Sequence, residues 1–280
     1  MSNDNLLPIA FQGEHGAYSE QAVRQHFGPD TTSLPCRTFR EIFAAVQNGR
    51  AAHGMLPVEN SLAGTVIPAY DLLVDHDFRV QGEVILRVEH CLMAPTGMTL
   101  ADIQRVKSHH QALAQCEQTL RRMNIAPVDY YDTAGAARDL AANPEPGTAA
   151  IASALAAETY GLEVLARNVE DMDFNYTRFF IMGKLDPPRV DPCKTSIIFT
   201  TRHVPGALHA VLRELAEKGI NLTKIESRPR RNRPWHYLFY VDFEGHEDDP
   251  TVQEAMLGIL KQASFLKVLG SYPAAKIPGG

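Results

Sequence analysis

Three prolines fall within the eleven residues Lys184-Leu-Asp-Pro-Pro-Arg-Val-Asp-Pro-Cys-Lys194, and neither a regular helix nor a central strand can run through them. The stretch predicts a stiff linker over 185–193 and divides the 280 residues into two bodies, 1–184 and 194–275. Charge divides at the same place. Residues 1–193 carry 15 Lys+Arg against 24 Asp+Glu, a net of −9, whereas 194–280 carry 12 against 9, a net of +3.

The hydrophobic pattern also changes across the linker. Before it, short β-rich runs alternate with helical ones. Pro8–Phe11 and Gly54–Val58 read as buried strands. Between them, Thr38-Phe-Arg-Glu41 has the form of a capping box, in which the Thr side chain caps an amide and Glu41 reaches back. Phe39, Ile42, Phe43 and Val46 follow at helical spacing until Gly49. Val106–Ser108, Val128–Tyr131 and Ala149–Ala152 predict further short strands, each followed by an Ala-rich helical segment. Such alternation indicates an α/β sheet with helices on both faces. After the linker the order is Thr195–Thr200 (strand), the stripe Leu208, Val211, Leu212, Leu215 (helix), and Ile220–Ile225 and Tyr237–Phe243 (strands) joined across the polar bend 230–234. The stripe Val252, Met256, Ile259, Leu260 and the strand Leu266–Tyr272 complete a β-α-β-β-α-β, ferredoxin-like unit.

Several function classes are excluded at this level. A net charge of −6 argues against nucleic acid as the main partner. No run approaches the roughly 18 apolar residues of a membrane span, and the polar start Met1-Ser-Asn-Asp-Asn lacks a signal-peptide pattern, so a cytoplasmic address is expected. The four cysteines are scattered without a CxxC pair, and the eleven histidines show no HxxxH or HExxH spacing, so no metal site is expected. GxSxG, P-loop and GxGxxG patterns are absent, which removes the usual signs of hydrolase or nucleotide chemistry.

Five polar clusters remain, four at strand-to-helix junctions and a fifth leading into a strand. Phe11-Gln-Gly-Glu-His-Gly-Ala-Tyr-Ser-Glu20 places two glycines before a helix start, with Ser19 as candidate cap. Val58-Glu-Asn-Ser-Leu-Ala-Gly-Thr65 packs amide and hydroxyl donors into a turn, and Ser108-His-His-Gln-Ala112 opens a helix. Thr133-Ala-Gly-Ala-Ala137 is a small-residue helix start that allows close approach of a ligand. Asn175-Tyr-Thr-Arg-Phe-Phe180 sets a hydroxyl donor beside a guanidinium that can grip a carboxylate. Each alone is also what plain capping or a surface ion pair produces; the joint occurrence points to a ligand cleft.

In order, the clusters resemble the prephenate dehydratase family, from about Pro8 to Tyr272. The specific pieces are Gly13-Glu-His-Gly-Ala-Tyr-Ser19, Pro57-Val-Glu-Asn-Ser-Leu-Ala-Gly-Thr65, His110-Gln-Ala-Leu-Ala-Gln-Cys116, Asp132-Thr-Ala-Gly-Ala-Ala137 and Thr177-Arg-Phe179. The C-terminal segment resembles an ACT domain, with Gly206-Ala-Leu-His209 and Glu226-Ser-Arg-Pro229 matching its two effector motifs. Two departures stand out: His110 occupies a place usually held by Pro, and His209 one usually held by Val.

The resemblance implies a two-lobed catalytic domain over 1–184, like periplasmic binding proteins, followed by an ACT domain. The lobes implied are about 6–82 with 168–184, and 83–167. The implied reaction is the decarboxylating dehydration of prephenate to phenylpyruvate, in phenylalanine biosynthesis, without metal or other cofactor. Thr177 would bond the departing hydroxyl, with Arg178 and Phe179 completing the catalytic motif. Ser19, Asn60, Ser61, Thr65, Gln111 and Thr133 would surround the substrate. Gly206, Ala207 and Leu208, with Glu226, Ser227, Arg228 and Pro229, would bind L-phenylalanine as allosteric effector where two copies meet in a homodimer or homotetramer. The few residues before the first strand leave no space for the mutase domain of some relatives. Rival readings are arogenate dehydratase, whose substrate differs by one amino-for-keto exchange, and a non-catalytic amino-acid sensor.

Overall fold

The protein is described by a computed structural model over residues 7–230 and 233–276, so the tip of the expected bend, 231 and 232, lies outside the described residues. By internal contacts it forms two units, one of 7–69 with 84–179 and one of 70–83 with 180–276.

In the first unit, β1 (Ile9–Gln12) pairs in parallel with both β2 (Ser33–Cys36) and β3 (His53–Asn60). The connections are α1 (Tyr18–Phe27) and α2 (Phe39–Gln47). Helix α2 follows its apolar spacing, with Ile42, Phe43 and Val46 buried. Thr38 caps it by accepting from the Glu41 amide at 3.3 Å, but the Glu41 carboxylate accepts from the Arg37 amide at 2.9 Å, one residue earlier than a capping box requires. A short β4 (Gly64–Thr65) folds back on β3. Then come α3 (Ile67–Asp75) and β5 (Arg79–Arg87).

The chain next builds a second lobe from β6 (Cys91–Ala94), β7 (Arg105–His109), β8 (Ala126–Tyr130), β9 (Thr148–Ala152) and β10 (Glu163–Ala166), in sheet order β10-β6-β9-β7-β8. Its helices are α4 (His110–Gln115), α5 (Glu117–Met123), α6 (Thr133–Ala142) and α7 (Ala154–Tyr160), packed around Leu92, Val106, Leu113, Leu120 and Ile151. Strand β11 (Tyr176–Gly183) returns to the first sheet, which reads β2-β1-β3-β11-β5. The lobes are thus joined at 88–90 and 167–175. The first crossing follows Arg87, where the sequence reading put it at 82/83. Val80, Gly82, Val84 and Leu86 keep a period of two across that point, so the strand does not break there.

The second unit holds β12 (Cys193–Thr201), α8 (Ala207–Ala216), β13 (Leu222–Arg230), β14 (Arg233–Glu244), α9 (Pro250–Gln262) and β15 (Ala263–Pro273). Its antiparallel order β13-β14-β12-β15 is that of a ferredoxin-like fold. Ile197, Phe199, Val211, Leu215, Val241 and Ile259 fill the core. Residues 70–83 and 180–184 group with this sheet, where the sequence reading had counted them with the first lobe. The reason is apolar and ionic contact. The Tyr70 ring lies 4.7 Å from that of Tyr240, Phe180 packs edge-on against Tyr272 at 5.6 Å, and the buried Glu83 carboxylate meets Lys194 at 2.9 Å. Among the described residues no helix is long and apolar enough to cross a membrane.

Candidate active site

After β1 the chain turns through Gly13 and Gly16, both at positive φ, into α1. The cap of α1 is Ala17, which offers no side-chain acceptor; Ser19, expected in that role, lies inside the first turn and is buried. A Ser in the helix cannot use its hydroxyl as an N-cap does. The N-cap side chain therefore takes none of the first-turn amides. The second lobe closes on the same loop. A Cβ at Gly16 would stand 2.6 Å from Ala156 Cα, the Ser153 hydroxyl donates to Gly16 O at 2.5 Å, and the Tyr160 hydroxyl donates to His15 O at 2.7 Å.

Between the lobes of this unit lies a cleft of about 260 Å³. Of the residues singled out from sequence, Ser19, Asn60, Gln111, Thr133, Thr177 and Phe179 line it. Strand alternation explains the membership on β11. Thr177 and Phe179 share one face, while Arg178 between them turns to the other and lies 3.8 Å from Glu59. On β3, Asn60 and Glu59 divide in the same way. The carboxylate contact expected of Arg178 therefore has no geometric support. Ser61 and Thr65 are not among the lining residues either. The Ser61 hydroxyl is engaged in tying the returning strand, donating to Phe174 O at 2.7 Å and accepting from the Tyr176 amide at 2.9 Å. Thr65 sits in β4, paired against Glu59.

Thr177 is held by its neighbour. Asn60 Nδ2 donates to Thr177 Oγ1 at 3.0 Å and also lies 2.8 Å from Asn175 Oδ1 and 3.2 Å from Tyr176 O. Asn60 Oδ1 accepts from the amides of Leu62 and Ala63 at 3.1 and 2.9 Å. Because Thr177 Oγ1 accepts from Asn60, its own proton is available to a group in the cleft.

Behind this pair runs a buried polar chain absent from the residues selected by sequence. Gln115 Oε1 accepts from Asn175 Nδ2 at 2.9 Å and lies 2.8 Å from His90 Nε2, and His90 Nδ1 lies 2.6 Å from the Tyr18 hydroxyl. Burial pushes the His90 pKa down and that of Tyr18 well up, so both are neutral at physiological pH. Tyr18, Gln115 and Asn175 lie within motifs already marked, but positions 72 and 60 apart carry no sign of pairing. His90 sits in the crossing segment and belongs to no motif.

The lining also includes His109, the N-cap of α4, whose pKa is lowered by burial and then by His110. No Lys, Arg, Asp or Glu is among the described residues that line the cleft. A polar hollow of about 420 Å³ adjoins it at Gln12, with Glu14 paired to Arg138 at 2.8 Å and Asp132 capping α6 through the Gly135 amide. Burial raises the Asp132 pKa.

In the second unit a separate hollow of about 520 Å³ is lined by Gly206, Ala207, Leu208 and His209 with Tyr237 and Phe239. Gly206 is the N-cap of α8 in the left-handed region, at φ 78°, where a side chain is disfavoured. Glu226, Ser227, Arg228 and Pro229 lie on the edge strand β13 and do not line this hollow. Arg228 instead forms an ion pair with Asp71.

Comparison with known proteins matches residues 9–187 to the prephenate dehydratase family and 195–260 to the ACT domain. The chain is 42% identical over 284 residues to arogenate dehydratase/prephenate dehydratase 2, chloroplastic, of Arabidopsis thaliana, covering 98% of this chain and 74% of that protein. Among solved structures it resembles a prephenate dehydratase of Arthrobacter aurescens in complex with L-Phe, with a TM-score of 0.88, 32% identity, and 96% and 90% of the two chains covered. It also resembles GqqA, described as a novel type of quorum-quenching acylase, with a TM-score of 0.88, 41% identity, and 95% and 98% covered.

Proposed function

Because this chain belongs to the prephenate dehydratase family, we propose that its cleft converts prephenate to phenylpyruvate, with Thr177 bonding the departing hydroxyl. The observation that carries this reading is the Asn60–Thr177 bond, which leaves the Thr177 proton directed at the cleft. In the reaction the bond to the ring carboxylate breaks, its electron pair enters the ring, and the ring hydroxyl leaves as water with one proton added. Aromatisation drives the step. A Thr hydroxyl is a weak acid, so it contributes a hydrogen bond that strengthens as the oxygen gains charge. Phe179 and Phe39 give the ring an apolar wall. The helix start at Ser19 offers amides to a carboxylate of the dianion, while at Thr133, where Asp132 already accepts from the Gly135 amide, the residue itself lines the space. Gln111 borders the same space. Arg178, paired with Glu59, supports β11 against β3 from the opposite face.

Prephenate is favoured over arogenate because the ammonium of arogenate would meet no carboxylate among the described lining residues. Glu14 in the adjoining hollow is already paired with Arg138. Turnover of both compounds side by side, followed by phenylpyruvate and phenylalanine formation, tests the assignment. Faster turnover of arogenate would overturn the preference, and no turnover of either would leave a sensor. The likeness to GqqA makes acylase activity a second reading. Against it, the partner of Thr177 Oγ1 is an amide rather than a base, and release of a carboxylic acid from an N-acyl amide is its test.

The functional division we adopt is a catalytic domain over 1–184, a linker over 185–193 and an ACT domain over 194–275. L-phenylalanine would enter the hollow at Gly206–Leu208, with Glu226–Pro229 supplied by a second copy across the edge strand β13 in a homodimer or homotetramer. The separation of the two motifs within one chain supports that arrangement. Four buried free thiols support a reducing, cytoplasmic setting.

A further inference from the structure

Prephenate carries two carboxylates branching from one ring carbon, the first attached directly and the second at the end of a methylene-keto arm. Only the first leaves. A cation paired with it loses its partner's charge on the way to the transition state and so raises the barrier, whereas a cation on the second meets the same charge throughout. The carboxylate of the arm is therefore the one that an ion pair can hold without slowing the step. Arg178, the guanidinium of the catalytic motif, turns to the opposite face and does not line the cleft. The cleft itself, at about 260 Å³, is smaller than the roughly 300–1,000 Å³ of ordinary ligand sites, and no Lys or Arg is among the described residues that line it.

The polar hollow of about 420 Å³ beside it has both space and charge. Gln12 lines both spaces, and Asp132 in the hollow directly precedes Thr133 in the cleft. The hollow forms where three strands end: Gly13 follows β1, Arg37 follows β2 and Tyr131 follows β8. The carboxyl ends of parallel strands are where α/β folds place ligands. The Gly13 amide donates to Cys36 O at 2.9 Å, which fixes the root of Arg37 beside the loop after β1. Arg138 is already engaged, 2.8 Å from Glu14 and 2.8 Å from Asp139. The acids of the hollow are engaged as well, Glu14 by Arg138 and Asp132 by the Gly135 amide at 2.8 Å. Arg37 differs. It is exposed, Glu41 accepts from its backbone amide, and among the described residues no carboxylate is ion-paired with its guanidinium.

We propose that Arg37 binds the side-chain carboxylate of the substrate in this hollow, while the ring carboxylate and the hydroxyl lie in the cleft. The inference rests on the reading of the cleft as a prephenate dehydratase site. Because the bound carboxylate keeps its charge, Arg37 holds substrate and transition state alike, and its loss shows in KM and not in kcat.

The test is steady-state kinetics with prephenate on the full chain, with phenylpyruvate as inhibitor, since phenylpyruvate keeps the side-chain carboxylate and lacks the other. Arg37→Gln should raise KM about tenfold, and the inhibition constant of phenylpyruvate by a similar factor, with kcat changed less than about twofold. Arg37→Lys keeps the charge but not the fork, and should fall between Arg37→Gln and the wild type. Arg40→Gln removes an equally exposed charge from α2 outside the hollow and should leave both constants unchanged. An unchanged KM in Arg37→Gln, an equal rise in Arg40→Gln, or a fall in kcat with KM retained overturns the proposal. A raised KM with unchanged inhibition by phenylpyruvate overturns it too, because Arg37 would then meet the ring carboxylate. A wild type that does not turn over prephenate refutes the dehydratase reading itself, and the assignment of Arg37 falls with it.

Discussion

Replacing Thr177 with Val removes the hydroxyl and keeps the branched shape, so the structure assigns separate magnitudes to stability and to rate. Asn60 Nδ2 has three acceptors within reach for its two hydrogens: Asn175 Oδ1, Tyr176 O and Thr177 Oγ1. With Thr177 Oγ1 gone, the other two still satisfy it. The stability loss should stay within about 1 kcal/mol, the net value of one hydrogen bond. For a protein of this size that is a Tm shift of less than about 4 °C. The rate should behave otherwise. Among the described residues no other hydroxyl is bonded to Asn60, so the departing oxygen loses its positioned donor, and kcat should fall about 10²- to 10⁴-fold, or roughly 3–5 kcal/mol in the barrier. Thr177→Ser should recover a large part of the loss, Thr177→Ala none of it. The assay is phenylpyruvate formation by absorbance, alongside Tm by differential scanning fluorimetry. A Val variant with near-normal Tm and more than about a tenth of the wild-type kcat would refute the donor role.

Two further outcomes follow from the same geometry. The folded pKa of His90 is below its unfolded value, so the unfolded chain binds more protons; its contribution to stability is present above about pH 6.5 and is lost as pH falls below that value, by at most about 1.4 kcal/mol per pH unit. Tm should therefore drop more steeply from pH 6.5 to 5 in the wild type than in His90→Gln, and parallel curves would contradict this. His209 lines the ACT hollow, so His209→Val should add apolar contact of about 1–2 kcal/mol and lower the half-inhibitory concentration of L-phenylalanine several-fold; an unchanged value would place the effector away from position 209.

The elements were legible wherever a local rule fixed them. Ile42, Phe43 and Val46 are buried as their spacing requires, and the β-α-β-β-α-β order after the linker is present. What failed locally did so where a neighbouring residue took over. Ala17 is the N-cap of α1, directly after Gly16, whose backbone lies against Ala156, and Ser19 falls inside the helix. At the site, the motifs marked the right segments but not the direction of each side chain. The period of two on β11 separates Arg178 from Thr177 and Phe179, and this becomes decisive only once β11 is known to border the cleft. Ser61 and Thr65 show the same limit: a hydroxyl in a turn serves backbone or ligand, and sequence does not say which. Tyr18, His90, Gln115 and Asn175 were beyond reach because their pairing is set by how two lobes meet, not by spacing.

A weak acid in a cleft without charged lining residues would be a poor site for most eliminations. Here the reaction supplies its own driving force, and the main need is to keep a dianion and a leaving hydroxyl in register. On the proposed reading, the helix start at Ser19 attracts a carboxylate without a mobile Lys or Arg side chain that could be drawn to the leaving oxygen. The group bonded to Thr177 is the Asn60 amide nitrogen, which donates to the hydroxyl oxygen and cannot remove its proton. The orientation of Asn60 follows from the amides of Leu62 and Ala63, which have no alternative protonation state. On the reading of Thr177 as donor, the direction of its proton is therefore set by backbone rather than by titration.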